Sequence, residues 1–153
     1  MSDVKQRLAG LGLEIPKPVA PVANYVPFVI SGDELFISGQ VSMGPDGLIK
    51  GKLGDGMSVE DGIAAAKACA VNLIAQMNAA LDGDLERVRR IVKLTGFVNC
   101  APDFTDQPKV INGASDLMVA VFGDKGRHAR AAVGAPSLPL GAAVEVDAIV
   151  EID

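Results

Sequence analysis

SVEDGIAAAKACAVNLIAQMNAALDGDLERVRRIVKLTGFVNC, Ser58 to Cys100, is the stretch whose reading decides the fold. Its first four residues, Ser58-Val59-Glu60-Asp61, resemble a capping box, in which a hydroxyl satisfies the free N–H groups at a helix start. Ile63, Ala66, Ala70, Leu73, Ile74, Met77 and Leu81 then recur at three- and four-residue steps until Gly83 stops the pattern. That spacing predicts a long helix with an apolar stripe, and its Ala and Met content suits close packing against a sheet. Cys69 belongs to the same stripe and reads as core rather than as a nucleophile. After the charged turn Asp84-Leu85-Glu86-Arg87, Val88 to Cys100 is rich in Val, Ile, Phe and Thr and alternates, which predicts a strand.

Working outward, Pro108 opens a second helix near Asp106, with Val110, Ala114, Leu117, Met118 and Val121 on one face and Gly123 as its stop. Two strands close the chain, Arg130 to Val133 and Ala143 to Ile152. Upstream, Tyr25 to Ile30 and Glu34 to Val41 flank the turn Ser31-Gly32-Asp33 as a hairpin. Between Gly39 and Gly56 the glycines and Pro45-Asp46-Gly47 predict a loop or a second hairpin. A phosphate loop does not fit there: Gly47 to Gly51 is one residue too short, and Leu53 occupies the place of the metal-binding hydroxyl. At the start, Val4, Leu8 and Leu11 sit at helical spacing after a Ser2 cap, and Pro16 to Pro21 must be extended.

The order is hairpin, helix, strand, helix, two strands. It predicts an α+β domain in which one mixed sheet carries two helices on one face, over residues 25–153, preceded by a helix and extended arm over 1–24. The other face of the sheet stays apolar and uncovered, so self-association is expected.

Composition narrows the functions. With 153 residues, 49% of them apolar, the chain can bury a sizeable core. Fourteen basic against nineteen acidic residues give a net charge of −5, the wrong sign for a nucleic-acid footprint. A mean hydropathy of +0.31 comes without any run long enough to span a bilayer. No apolar leader stands at the N-terminus, so no membrane partner and a cytoplasmic location are expected, with Cys69 and Cys100 as reduced thiols. One histidine and two separated cysteines cannot make a usual zinc site, and no metal is expected. His128, alone between Arg127 and Arg130, reads as a surface or interface residue. Arg130 stands out because its neighbours Ala129, Ala131, Ala132 and Val133 are small and apolar. A guanidinium there needs an anion, either a ligand carboxylate taken through two parallel hydrogen bonds or the side chain of Glu145 or Asp147 at a subunit boundary.

Several segments together carry a resemblance: Tyr25 ahead of Ile37-Ser38-Gly39-Gln40, Lys93-Leu94-Thr95-Gly96-Phe97-Val98, Asn112 on the second helix, Ala129-Arg130, and Val144-Glu145-Val146-Asp147-Ala148-Ile149. From Tyr25 to the C-terminus the chain resembles the Rid family, the YjgF-like reactive intermediate deaminases. The resemblance implies a chorismate-mutase-like fold, a homotrimer with clefts between subunits, no cofactor, and hydrolysis of 2-imino or enamine acids to 2-oxo acids and ammonia. By position it assigns Arg130 to the substrate carboxylate and Glu145 to the attacking water, with Tyr25, Gly39, Asn112 and Ala132 lining the pocket. A small 2-imino or 2-oxo acid would then be the partner. The alternative is a module of the same fold that binds such a carboxylate without turning it over. Endoribonuclease activity, also attached to the family name, fits the acidic charge poorly, and chorismate mutase activity would rest on fold alone. Two local departures stand out: Ala131-Ala132 where the family's deaminases commonly have Ser-Cys, and His128-Ala129 where they have Pro-Ala. The Gly44 to Met57 stretch and the N-terminal arm are also longer than in short members.

Overall fold

Ser58 begins the long helix as its sequence requires, its hydroxyl accepting a hydrogen bond from the Asp61 backbone N–H at 3.1 Å. In the computed structural model, which describes residues 3–21 and 23–153, this helix (α2) runs Val59–Ala80. A short helix α1 spans Asp3–Gly10 and a third, α3, spans Gln107–Phe122. The strands are β1 Phe28–Ser31, β2 Glu34–Val41, β3 Met43–Gly44, β4 Gly47–Leu48, β5 Val88–Asn99, β6 Ala129–Ala135 and β7 Val144–Ile152. Five of them form one sheet in the order β1-β2-β7-β5-β6, while β3 and β4 pair as a small hairpin of their own. Within this sheet the β5–β6 pairing is parallel and the others are antiparallel, with α3 as the crossover between β5 and β6, so the sheet is mixed as expected.

Alternation along β7 sorts the two faces. Val144, Val146, Ala148 and Val150 are buried against the helices, while Glu145, Asp147, Ile149 and Glu151 point the other way. That second face carries Val29, Phe36 and Val133, each more than a third exposed, beside partly exposed Ile149 and Phe97. It is the uncovered face that the pattern of elements predicts. On the helix side the core joins Leu73, Ile74 and Met77 of α2 with Ile111, Ala114 and Met118 of α3, and with Leu94 and Val98 of β5. Val4 and Leu8 of α1 are buried in this same core.

Four local expectations need correction. The strand expected from Tyr25 starts only at Phe28, because Pro27 has no N–H to give to a ladder. Alternation in β5 breaks at Arg89-Arg90 and Val92-Lys93, where register shifts against β7 leave adjacent residues exposed. Leu11 lies beyond the end of α1 and is exposed; the Ser2 cap lies outside the described residues. Ile63 is more than a third exposed rather than core, although it packs against Gly113 where α2 crosses α3, beside Gly62 against Val110.

That crossing yields a measurable consequence. A Cβ added at Gly113 would stand on the backbone carbonyl of Ile63, so the helices would have to separate. Gly113→Ala is expected to lower the unfolding free energy by about 1–3 kcal/mol in a urea titration with unchanged m. Gly10→Ala, which meets nothing within 4 Å, should leave it nearly unchanged.

Candidate functional site

Arg130 sits near the start of the edge strand β6, opposite buried Leu94 of β5, and its side chain reaches α3. There Nη1 donates to Asn112 Oδ1 at 2.8 Å and to Ser115 Oγ at 3.2 Å. Asn112 and Ser115 meet it together because residues three apart share one helix face. These two contacts use the Nη1 hydrogens, while the Nε and Nη2 edge, the edge that forks onto a carboxylate, carries no recorded acceptor among the described residues. Arg130 is exposed and has no ion pair among the described residues. The interface salt bridge to Glu145 or Asp147 is therefore not formed inside the chain. Ala132, two residues on, lies on the same face of β6, beside Gly96.

Glu145 belongs to the other face of the sheet. It lies on β7 opposite Val41 of β2 and Phe97 of β5. Between Ile37 and Gln40 strand β2 shifts register against β7, and Gly39 at that bulge comes up against the carboxylate. An added Cβ at Gly39 would lie 2.9 Å from Glu145 Cδ and 3.0 Å from Oε2. The glycine is thus required by the acid beside it, not by its own backbone angles. Burial pushes the Glu145 carboxyl above the usual carboxylate range, and the neighbouring Asp147 charge adds to the rise. Asp147 is itself raised by burial, against the opposing effects of a Thr95 hydrogen bond and Lys93.

Tyr25 completes this second group. It lines, with Gly39 and Glu145, a cavity of about 260 Å³ that Val19, Pro21 and Leu140 also wall. Gln76 of α2 ties the arm down by donating to the Val19 carbonyl at 3.0 Å, and Leu140 holds a left-handed φ of 63° at the rim. The arm and Leu140 escape sequence reading, the arm because Pro16 to Pro21 announces an extended segment without saying what it covers. Ser115 was legible in principle, three residues from Asn112 on a helix.

The expected residues thus fall into two groups within one chain. Arg130, Asn112 and Ala132 lie on the helix side of the β6 edge; Tyr25, Gly39 and Glu145 lie around a cavity on the far side of β7. Among the described residues no group of three His, Cys, Asp or Glu side chains could hold a metal ion, and no helix is long and apolar enough to cross a membrane. Cys69 and Cys100 are buried free thiols, Cys69 raised by burial and next by the Glu145 charge.

Residues 5–152 match the family described as "YjgF/chorismate mutase-like, putative endoribonuclease". The chain belongs to this family. The match includes most of the N-terminal arm, where the resemblance read from sequence began only at Tyr25. Protein TCP17 of Trypanosoma cruzi is 53% identical over 152 residues, covering 98% of this chain and 94% of that protein. The crystal structure of Atu1372 from Agrobacterium tumefaciens, a protein of unknown function, superposes with a TM-score of 0.92 at 51% identity, covering 99% of this chain and 93% of the other. A Shewanella oneidensis MR-1 protein described as an endoribonuclease candidate gives 0.93 at 36% identity, covering 97% and 99%. With these relatives the YjgF-like chain shares its arm as well as its sheet.

Proposed function

We propose that this YjgF-like protein hydrolyses small 2-imino or enamine acids to 2-oxo acids and ammonia, in clefts that two copies of the chain build together. The observation that carries this reading is Arg130: an exposed guanidinium without an ion pair among the described residues, fixed by Asn112 and Ser115 through one nitrogen and open along its forked edge. A carboxylate fits that edge through two parallel hydrogen bonds. The acid with raised affinity for protons, Glu145, lies on the opposite face, and the apolar residues Val29, Phe36 and Val133 around that face favour a covering neighbour. When the β6 edge of one copy covers the open face of the next, the two groups meet. Repeated around a threefold axis, this contact closes into a homotrimer with three equivalent clefts.

The chemistry follows from the two groups. Arg130 holds the substrate carboxylate and so fixes the adjacent C2. Glu145 takes a proton from a water as its oxygen bonds to C2 and the C=N π electrons pass to nitrogen. Starting from the protonated imine this gives a carbinolamine, which receives the Glu145 proton on nitrogen; the C2–N bond then breaks as Glu145 takes the hydroxyl proton and the C2–O bond becomes a carbonyl, and that proton leaves with the ammonia as ammonium. A carboxyl raised above its usual range serves both steps near neutral pH. Imines hydrolyse unaided in water, so positioning and one acid–base group are sufficient. Purified protein is expected to accelerate ammonia release from freshly generated 2-iminobutyrate, followed by a coupled ammonia assay; no acceleration over the buffer rate would overturn the reading.

A second reading has its own observation. Ala131 and Ala132 replace the Ser-Cys common in the family's deaminases, leaving the β6 strand beside Arg130 without side-chain donors. Such a site could hold a 2-oxo acid and release it unchanged. Calorimetric binding of 2-oxobutyrate in the absence of turnover would select that function.

A further inference from the structure

The cavity that holds Gly39 and Glu145 has a wall that the acid–base chemistry does not use. Val19, Ala20 and Pro21 of the N-terminal arm form one side of it. Pro16, Pro18 and Pro21 each fix a backbone angle, so the arm gives up little freedom when it packs there. What holds it is Gln76. The Val19 carbonyl can only accept, so the Gln76 amide must turn Nε2 toward it, at 3.0 Å. The same nitrogen lies 3.4 Å from Oε1 of Gln40, which lines the cavity from β2. Gln76 is 1% exposed, and in this orientation its Oε1 has no hydrogen-bond partner among the described residues. A buried acceptor left over in this way costs stability, and an apolar side chain of similar size would avoid that cost. Glutamine at this place is explained by its two donated bonds, which fasten the arm and β2 to α2 around the cavity.

The lining decides what can enter. Beside the arm stand Tyr25 and Leu140, 48% and 58% exposed, so apolar surface is left open at the rim. Among the described residues no lysine or arginine lines the cavity, and its ionisable groups are the Glu145 carboxyl and the Tyr25 phenol. Gln40 donates to the Ser38 carbonyl at 3.0 Å and accepts from Gln76, so its amide is largely committed. A ligand carboxylate has no cation inside, which agrees with its being held from outside by Arg130. The group that reaches past C2 into the cavity is then the ligand's side chain. An aliphatic side chain gains by covering Val19, Pro21 and Leu140, about fourfold per buried methylene. A second carboxylate in its place would lose its water beside Glu145 and meet no positive charge.

We propose that the arm-walled cavity is the side-chain pocket of the substrate, that Val19, Pro21 and Leu140 select neutral aliphatic 2-imino acids over acidic ones, and that Gln76 sets the pocket by holding the arm. This rests on the proposed cleft around Glu145 and narrows its substrate class. Gln76 touches no substrate; it is a positioning residue acting through Val19.

The test uses the full chain and a graded series of imines, made in place from alanine, 2-aminobutyrate, norvaline and glutamate by amino-acid oxidases, with ammonia release as the readout. From the alanine-derived to the norvaline-derived imine kcat/KM should rise about fourfold per methylene, and the glutamate-derived imine should fall about tenfold or more below the norvaline-derived one. Val19→Ser and Leu140→Ser, neither of which touches the buried core, should each cut the gain per methylene to about twofold. Gln76→Leu fills the same space in α2 and releases the arm. It should raise KM for the norvaline-derived imine about fivefold with kcat nearly unchanged, whereas a purely structural role would lower kcat through lost active protein and leave KM alone. An unchanged KM in Gln76→Leu would overturn its positioning role. Rates indifferent to chain length, a glutamate-derived imine hydrolysed as fast as the norvaline-derived one, or a gradient unchanged in both serine variants would overturn the pocket and leave deamination standing. If no imine is accelerated, deamination is removed, and calorimetry with pyruvate, 2-oxobutyrate, 2-oxovalerate and 2-oxoglutarate decides the pocket. The same gradient in Kd upholds it; a flat series, or no binding, overturns it.

Discussion

Arg130→Ala is expected to reduce kcat/KM for 2-iminobutyrate by about 10²–10³-fold, with the melting temperature nearly unchanged. The first half follows from what the guanidinium would do. Two charge-assisted hydrogen bonds fix the carboxylate and through it the position of C2, so their loss weakens binding and also lets the reacting carbon wander from the water. The second half follows from where the side chain sits. Arg130 is exposed on an edge strand, its partners Asn112 and Ser115 are exposed or half-buried, and water can replace the guanidinium at both. Arg130→Lys separates charge from geometry. An ammonium keeps the positive charge but cannot fork onto two oxygens while also holding Asn112, so a loss intermediate between wild type and alanine is expected. Steady-state kinetics with thermal melts on the three proteins measure all of this. Wild-type kinetics in Arg130→Ala would remove the carboxylate anchor from the proposed function.

How much of this is legible in the sequence depends on whether a segment's side chains alternate in character. Helices α2 and α3 could be read because Ser58 caps one, Pro108 opens the other, and the apolar steps between are regular. Strand β7 could be read for the same reason, its Val and Ala positions buried and its acids on the other face. Strand β6 could not. Ala129, Ala131, Ala132 and Val133 are all small and apolar, so nothing in the sequence tells which face Arg130 shares, and only its contacts with α3 place it on the helix side. That is why Arg130 and Glu145, joined in the sequence reading as a possible salt bridge, separate across the sheet. Gly39 is a second case: its need is steric, set by the register shift that brings it against Glu145, and no neighbour along the chain announces it. His128 reads from sequence only as a surface or interface residue, because its partners, a serine on α3 and a backbone carbonyl, are not neighbours that its arginine flanks announce.

Glu145→Gln should move activity and stability in opposite directions. Removing the acid–base group is expected to lower kcat for imine hydrolysis by about 10²–10⁴-fold, since glutamine can orient a water but cannot take its proton. The amide has nearly the shape of the carboxyl, so the space left by Gly39 stays filled. Stability should rise at neutral pH. Burial raises the folded-state pKa of Glu145 above that of an unfolded chain, so the folded protein holds this proton more tightly. The contribution of Glu145 to stability is therefore most favourable below the unfolded value and is lost as pH rises through the folded one. Glutamine carries no charge to desolvate and escapes that loss. Thermal melts between pH 4 and pH 8 should show Glu145→Gln gaining on wild type as pH rises, with the difference vanishing at the acid end; a variant less stable at pH 8 would contradict the burial argument. Mixing then tests the shared cleft. On the proposed function Arg130→Ala and Glu145→Gln chains should each be nearly inactive alone, but in randomly co-assembled trimers of the proposed kind a cleft with an intact Arg130 from one copy and an intact Glu145 from the next should arise about a quarter of the time. Recovery of roughly that fraction of wild-type activity is the expected result, and none would arise if each chain held a complete site of its own.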